Sequence, residues 1–213
     1  KELILLAKKA GAHSAKFQLR DMSTLYGDDS DEASDNLGAQ YTMDLLKRFQ
    51  LTNDELLEAM NYSKELGLVP LCTPWDEKSV DILESIGVDG YKVASADLTN
   101  HGFLRYLAKT GKPLICSTGM ATESEIQQSV EVLRGVGARF ILLHCNSTYP
   151  APFKDVNLSY LPRLKEVGGC LVGYSGHERD INVAISAVAL GARVIEKHFT
   201  TDRSMEGNDH KVS

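Results

Sequence analysis

One pattern constrains this chain more than any other. Short apolar runs of strand type recur along it, each followed by a longer stretch of helical period. The strand-like runs are residues 14–18, 69–73, 90–95, 113–117, 140–146, 171–175 and 193–199. Between them lie amphipathic stretches such as DEKSVDILESIG, GFLRYLAKTG, TESEIQQSVEVLRGVG and RDINVAISAVALGA. Gly87, Gly111, Gly137 and Gly191 stand where these helices should end, at the position that favours a left-handed backbone. Strand, helix, strand, helix predicts a parallel sheet with helices packed outside it.

An open doubly wound sheet and a closed (β/α)8 TIM barrel both satisfy that alternation. The polar residues separate them. Nearly every strand run ends in a hydrogen-bonding or reactive side chain: Lys16 and Gln18, Thr73, Lys92 and Ser95, Ser117 and Thr118, His144 and Asn146, Ser175 and His177, Glu196 and His198. A barrel gathers such ends around one pocket, whereas an open sheet spreads them along an edge. The expected fold is therefore a TIM barrel over residues 1–213. It is expected to be incomplete, because the chain opens inside the amphipathic pattern KELILLAKKAGA and stops at Ser213 with no closing element. One gap breaks the rhythm between the first two strands. It holds the acidic stretch DMSTLYGDDSDEASDNLGAQ, read as a mobile loop at the pocket mouth or a solvated surface insertion. Helical pattern returns over residues 44–50 and 53–66, with Thr52 as an N-cap.

Composition removes several function classes. The net charge is −6 and the basic side chains are scattered singly, which argues against a nucleic-acid-binding face. No apolar run approaches the ~20 residues that span a bilayer. Cys72, Cys116, Cys145 and Cys170 form no CxxC pair and read as reduced core thiols of a cytosolic protein.

Chemistry concentrates at the strand ends. His177 and His198 end neighbouring strands, and acidic Asp209 follows, a natural two-imidazole metal site. With few protein ligands and no thiolate, such a site keeps open positions and suits Mn²⁺ or Mg²⁺ more than structural zinc. The plainer reading is that each histidine is hydrogen-bonded structure. Lys16 and Lys92 interrupt apolar strands, which is costly unless they are paired. With Thr73, Ser95, Ser117 and Asn146 they would line a positive, hydroxyl-rich pocket for a phosphate and a carboxylate, or one of them could form a Schiff base. Lys197, beside His198, points to the opposite face by strand alternation and is left outside the site. Trp75 and Tyr149 either flank the pocket or pack beneath a loop, and His144 reads as a satisfied core histidine.

The segments KFQ, TPWDEKSVDIL, YKVASADLTN, GKPLICSTGMAT, LLHCNSTYPAPFKDVNL, GYSGHE and VIEKHFTTDRSMEGNDHKVS, taken in order, resemble the successive blocks of the sialic acid synthase family. That family includes N-acetylneuraminate synthases, the synthases of legionaminic and pseudaminic acids, and spore-coat polysaccharide proteins. The resemblance implies a reaction joining C3 of phosphoenolpyruvate to an N-acetylated amino-sugar aldehyde, with release of phosphate by C–O cleavage. It implies that His177 and His198 hold the metal and that Lys16, Thr73, Lys92, Ser95, Ser117, Asn146 and Ser175 hold phosphoenolpyruvate. Gln18, Tyr149 and Asp209 match positions near the sugar, and no Schiff base is needed. Lys16, Lys92, His177 and His198 are then the catalytic set. It also implies a homodimeric full-length protein with a small antifreeze-like C-terminal domain absent from this chain. Many bacterial members read SDH where this chain has Ser175-Gly176-His177. A non-catalytic barrel, kept as a scaffold for polysaccharide or spore-coat assembly, is the competing expectation.

Overall fold

A computed structural model of the chain describes residues 1–26 and 46–213, which fall into two compact units, residues 1–89 and 90–213. Most of the acidic stretch between the first two strands lies outside the described residues, so its reading as a loop at the pocket mouth does too.

In the first unit, helix α1 (Glu2–Lys9) leads into strand β1 (Ser14–Leu19), which pairs in parallel with β2 (Val69–Pro74). The register sets Lys16 opposite Leu71 and Gln18 opposite Thr73. A short helix α2 (Met22–Tyr26) follows β1, and α3 (Asn53–Glu65) precedes β2. Thr52 caps α3 as expected: it exchanges hydrogen bonds with Glu55 in a reciprocal capping box. Helix α3 buries Leu56 and Met60, and α4 (Glu77–Ile86) buries Val80 and Leu83, each such side chain contributing roughly 1.5–3 kcal/mol by leaving water. Asp76 caps α4 by accepting from the Ser79 N–H at 2.7 Å. Its other carboxylate oxygen accepts from the Asp21 N–H at 2.8 Å, which fixes the backbone leaving β1 to the start of α4.

The second unit is a run of β/α steps. Strands β3 (Tyr91–Val93), β4 (Leu114–Ser117), β5 (Phe140–Cys145), β6 (Val172–Gly176) and β7 (Ile195–Lys197) lie side by side in chain order, every pair parallel. The connections carry α5 (His101–Lys109), α6 (Glu123–Gly135), α7 (Tyr160–Gly168) and α8 (Asn182–Ala189). Leu104, Leu107, Leu133, Leu142, Leu161 and Leu164 are fully buried between sheet and helices. All four glycines expected to end helices have positive φ, from 68° at Gly137 to 100° at Gly191, which an L side chain resists. Helix α7 carries Pro162 near its start. The proline sits in the first turn, where its missing N–H costs nothing. A last short helix, α9 (Asn208–Lys211), ends the chain.

All four cysteines are free thiols, three of them buried. Among the described residues no helix is long and apolar enough to cross a membrane.

Candidate active site

Parallel strands deliver alternate side chains to one face, and the register at β6–β7 decides which residues meet. Tyr174 lies opposite Ile195, Ser175 opposite Glu196, and Gly176 opposite Lys197. Ser175, His177, Glu196 and His198 therefore share the front of the ladder. The Ser175 hydroxyl donates to Glu196 Oε1 at 2.9 Å. Just beyond the ladder the His177 and His198 rings stand 5.5 Å apart, centroid to centroid.

Each ring has defined partners. His177 Nδ1 lies 2.6 Å from the Asn146 carbonyl oxygen, which can only accept, so Nδ1 carries the proton. Nε2 is left with a lone pair, and the Tyr149 hydroxyl donates to it at 2.8 Å while the phenol ring stacks on the imidazole at 4.0 Å. Burial, reinforced by the Asp209 charge, pushes the Tyr149 phenol well above its ordinary range, so it stays a neutral donor. His198 Nδ1 faces Asp209 Oδ2 at 3.6 Å. The Tyr149 ring meets His198 edge-on, so one tyrosine contacts both histidines.

The lysine expected to need a partner has one. Lys92 Nζ, 4% exposed, lies 3.8 Å from Glu196 Oε1 and donates to the Val93 carbonyl at 2.8 Å. Reading the sequence alone missed Glu196 as the counter-charge. The signal was present, since Glu196 and His198 are two apart on one strand and so share a face. Around this pair sits a ring of small polar groups. The hydroxyls of Ser95, Ser175 and Ser147 come within hydrogen-bonding reach of the Cys145 thiol, and burial pushes that thiol above its usual range. Ser95 Oγ also accepts from the Gly119 N–H at 3.1 Å. A Cβ at Gly119 would come within 2.7 Å of Ser147 Oγ, so glycine admits the close approach of the β4 and β5 exits. Ser117 Oγ is buried with no hydrogen-bond partner among the described residues, a state that costs about 1–3 kcal/mol and that a ligand oxygen would relieve.

Other expected site residues fall differently. The Asn146 side chain is committed to its own loop, its amide donating to the Asp155 carbonyl at 3.1 Å and its oxygen accepting from the Thr148 N–H at 2.9 Å. Ser147, which the sequence reading passed over, faces the hydroxyl cluster beside it. His144 is a satisfied core histidine, Nε2 at 2.6 Å from the Val156 carbonyl oxygen, and burial lowers its pKa. Lys16, Gln18 and Thr73 belong to the first unit. There Gln18 Oε1 accepts from Trp75 Nε1 at 3.0 Å and from Arg20 Nη2 at 2.9 Å, and Thr73 is buried. Lys16 is half-buried near Cys72, whose thiol burial pushes up to about 12 while the Lys16 charge pulls it down.

Strand-end histidines and a buried lysine paired with Glu196 are thus gathered at one end of this β/α scaffold. The chain belongs to the NeuB family, whose sequence profile matches residues 3–213. It is 44% identical, over all of its length, to an uncharacterised protein of Methanocaldococcus jannaschii and covers 60% of that protein. It is 38% identical to the N,N'-diacetyllegionaminic acid synthase of Campylobacter jejuni, again over its whole length and over 66% of the relative. The crystal structure of an N-acetylneuraminic acid synthetase from Leptospira borgpetersenii aligns with all of this chain at a TM-score of 0.90 and 33% identity, covering 71% of that chain. The chain thus spans 60% and 66% of the length of these two curated relatives. Its fold class is that of the (β/α)8 barrel, as the polar strand ends led one to expect.

The donor set fits a divalent cation of open coordination. Among the described residues no group of three or more His, Cys, Asp or Glu converges on one point. Two imidazoles remain; the His177 Nε2 lone pair, fixed by the hydrogen bond at Nδ1, accepts from the Tyr149 hydroxyl, which a cation there would displace.

Proposed function

We propose that the protein containing this chain condenses phosphoenolpyruvate with an N-acetylated amino-sugar aldehyde, N-acetylmannosamine or a related hexose, giving a nonulosonic acid and inorganic phosphate. The observation that carries this reading is the approach of His177 and His198, rings 5.5 Å apart, on the same ladder face as the Lys92–Glu196–Ser175 cluster. Membership of the family supports it: the C. jejuni relative is named a synthase of that product class.

The reaction forms a bond between C3 of phosphoenolpyruvate and the aldehyde carbon. Water oxygen adds at C2, the C2–O bond to phosphorus breaks, and phosphate leaves. A divalent cation, Mn²⁺ or Mg²⁺, held by His177 and His198, would supply Lewis acidity at the aldehyde oxygen and orient the water. Lys92 stabilises the negative charge that gathers on the phosphate and carboxylate, with Lys16 assigned the same duty from the first unit. The hydroxyls of Ser95, Ser117 and Ser175, with Thr73, bind the anion's oxygens, and Asn146 is assigned to their loop. Glu196 orients Lys92 until substrate arrives. Tyr149, stacked on His177, closes one side of the pocket and, with Gln18 and Asp209, faces the sugar. The full-length protein acts as a homodimer.

Phosphate release from phosphoenolpyruvate, measured for the full-length protein with a panel of N-acetylated amino sugars and Mn²⁺, tests the proposal. Release that depends on one sugar supports it. No release with any sugar or metal would overturn it in favour of a scaffold.

A further inference from the structure

The β6–β7 ladder stops one step short of the histidines. Its last aligned pair is Gly176 with Lys197, so both imidazoles project from residues beyond the ladder; the His177 carbonyl accepts from the Ala151 N–H at 3.0 Å, and His198 lies past the end of β7. Strand β7 has three residues, and a ladder that short does little to fix its own end. What bridges the strands at this level lies on the reverse face. Lys197 Nζ donates to Glu178 Oε1 at 3.0 Å and also to the Glu178 backbone carbonyl. The Tyr174 hydroxyl donates to the other carboxylate oxygen at 2.6 Å. The Glu178 side chain is 0% exposed, and both its oxygens are bonded.

The placement along the chain is the telling part. Glu178 directly follows His177, and Lys197 directly precedes His198. Gly176 belongs to the same arrangement. A Cβ there would stand 2.9 Å from both Glu178 carboxylate oxygens and from Tyr174 Cε1, so any side chain would displace the carboxylate. This gives a physical reason for glycine in Ser175-Gly176-His177. An apolar pair at positions 178 and 197 could fill the same space. It could not fix the offset between the strands, which the lysine sets by holding carboxylate and carbonyl of one residue together.

We propose that Lys197 and Glu178, supported by Tyr174, are positioning residues: a buried clamp behind the ladder that holds the two imidazoles at their working separation. This rests on reading His177 and His198 as the metal-holding pair. A site with two protein ligands has no third to absorb a misplaced ring. Removing groups that orient ligands commonly weakens metal affinity about 10–100-fold.

The test uses the full-length protein carrying Lys197→Met and Glu178→Gln together, so that no buried charge is stranded. Three quantities are read: Mn²⁺ affinity by calorimetry, phosphoenolpyruvate affinity without metal, and the histidine ring resonances of the metal-free protein by ¹H–¹⁵N NMR. The double variant should melt near the wild type and bind Mn²⁺ about 10–100-fold more weakly. Phosphoenolpyruvate affinity should stay within about two-fold, as for an independent site. The His177 and His198 resonances should move while that of His101 does not. Lys197→Arg, which keeps a donor to both oxygens, should restore most of the affinity. Unchanged Mn²⁺ affinity together with unchanged ring resonances would overturn the clamp. If the wild type bound no Mn²⁺, the metal reading would fail by itself, and the ring resonances would still decide for or against the clamp.

Discussion

The two faces of the β6–β7 ladder are built from alternate residues of the same two strands, yet they are finished differently. On the rear, Tyr174, Glu178 and Lys197 close a cluster in which both carboxylate oxygens are bonded and the Glu178 side chain is sealed from water. On the front, Ser175 and His177 are buried, while Glu196 and His198 keep about a fifth of their side chains exposed beside the more exposed Asp209. A closed polar network rigidifies, whereas an open one can exchange its partners for a ligand. Strand alternation thus lets neighbouring residues take opposite duties, with structure behind and chemistry in front.

Mutations on the two faces should separate activity from stability. The largest effect belongs to the front: His177→Ala or His198→Ala should lower kcat/KM of the full-length enzyme by about a thousand-fold or more, since Lewis-acid stabilisation contributes several kcal/mol. His198→Ala should shift the denaturation midpoint little, whereas His177→Ala, which removes the buried partner of the Asn146 carbonyl and the Tyr149 hydroxyl, should cost about 1–2 kcal/mol. Lys197→Met reverses the pattern. It strands a buried carboxylate and should cost about 3 kcal/mol in urea unfolding, toward the low end for a broken buried pair because the lysine side chain is 25% exposed. Adding Glu178→Gln should recover most of that loss. Tyr174→Phe removes one donor to the same carboxylate and should cost about 1–2 kcal/mol. A front-face histidine variant that unfolded as readily as Lys197→Met would break the division of duties.

The smallest effect is a pH dependence. Burial lowers the pKa of His144 below its ordinary 6.5, against the weaker pull of the Val156 carbonyl. Above that value the ring is neutral in both states and contributes no pH dependence. As pH falls through 6.5, the unfolded chain takes up a proton that the buried ring does not, so stability declines toward the folded-state pKa. The slope from this group is at most about 1.4 kcal/mol per pH unit. His144→Gln should flatten the wild-type curve below neutrality by that much, read from unfolding midpoints across pH.

Much of this division was legible in the sequence. Period-2 patterning alone puts His198 and Lys197 on opposite faces, and the left-handed glycines mark the helix ends. Both follow from rules local to a few residues. The losses came where a role depends on contacts between segments. Alternation puts Glu196 on the face of His198, but its pairing with Lys92 is a contact between β7 and β3 that no pattern within one strand records. Ser147 and Asn146 differ by one position, and loop hydrogen bonds that no periodicity records decide which of them turns toward the hydroxyl cluster. Lys197 was correctly sent to the rear, but its partner there is a side chain from β6, which alternation within one strand cannot reveal.

The central claim is that His177 and His198 together form a metal-holding pair beside an anion pocket. Calorimetric titration of Mn²⁺ and then phosphoenolpyruvate into the full-length protein and its His177→Ala/His198→Ala variant tests it most directly. The account predicts that the wild type binds both, and that the variant loses Mn²⁺ but still binds phosphoenolpyruvate through the lysine and hydroxyl groups. Undiminished Mn²⁺ binding in the folded variant would contradict it.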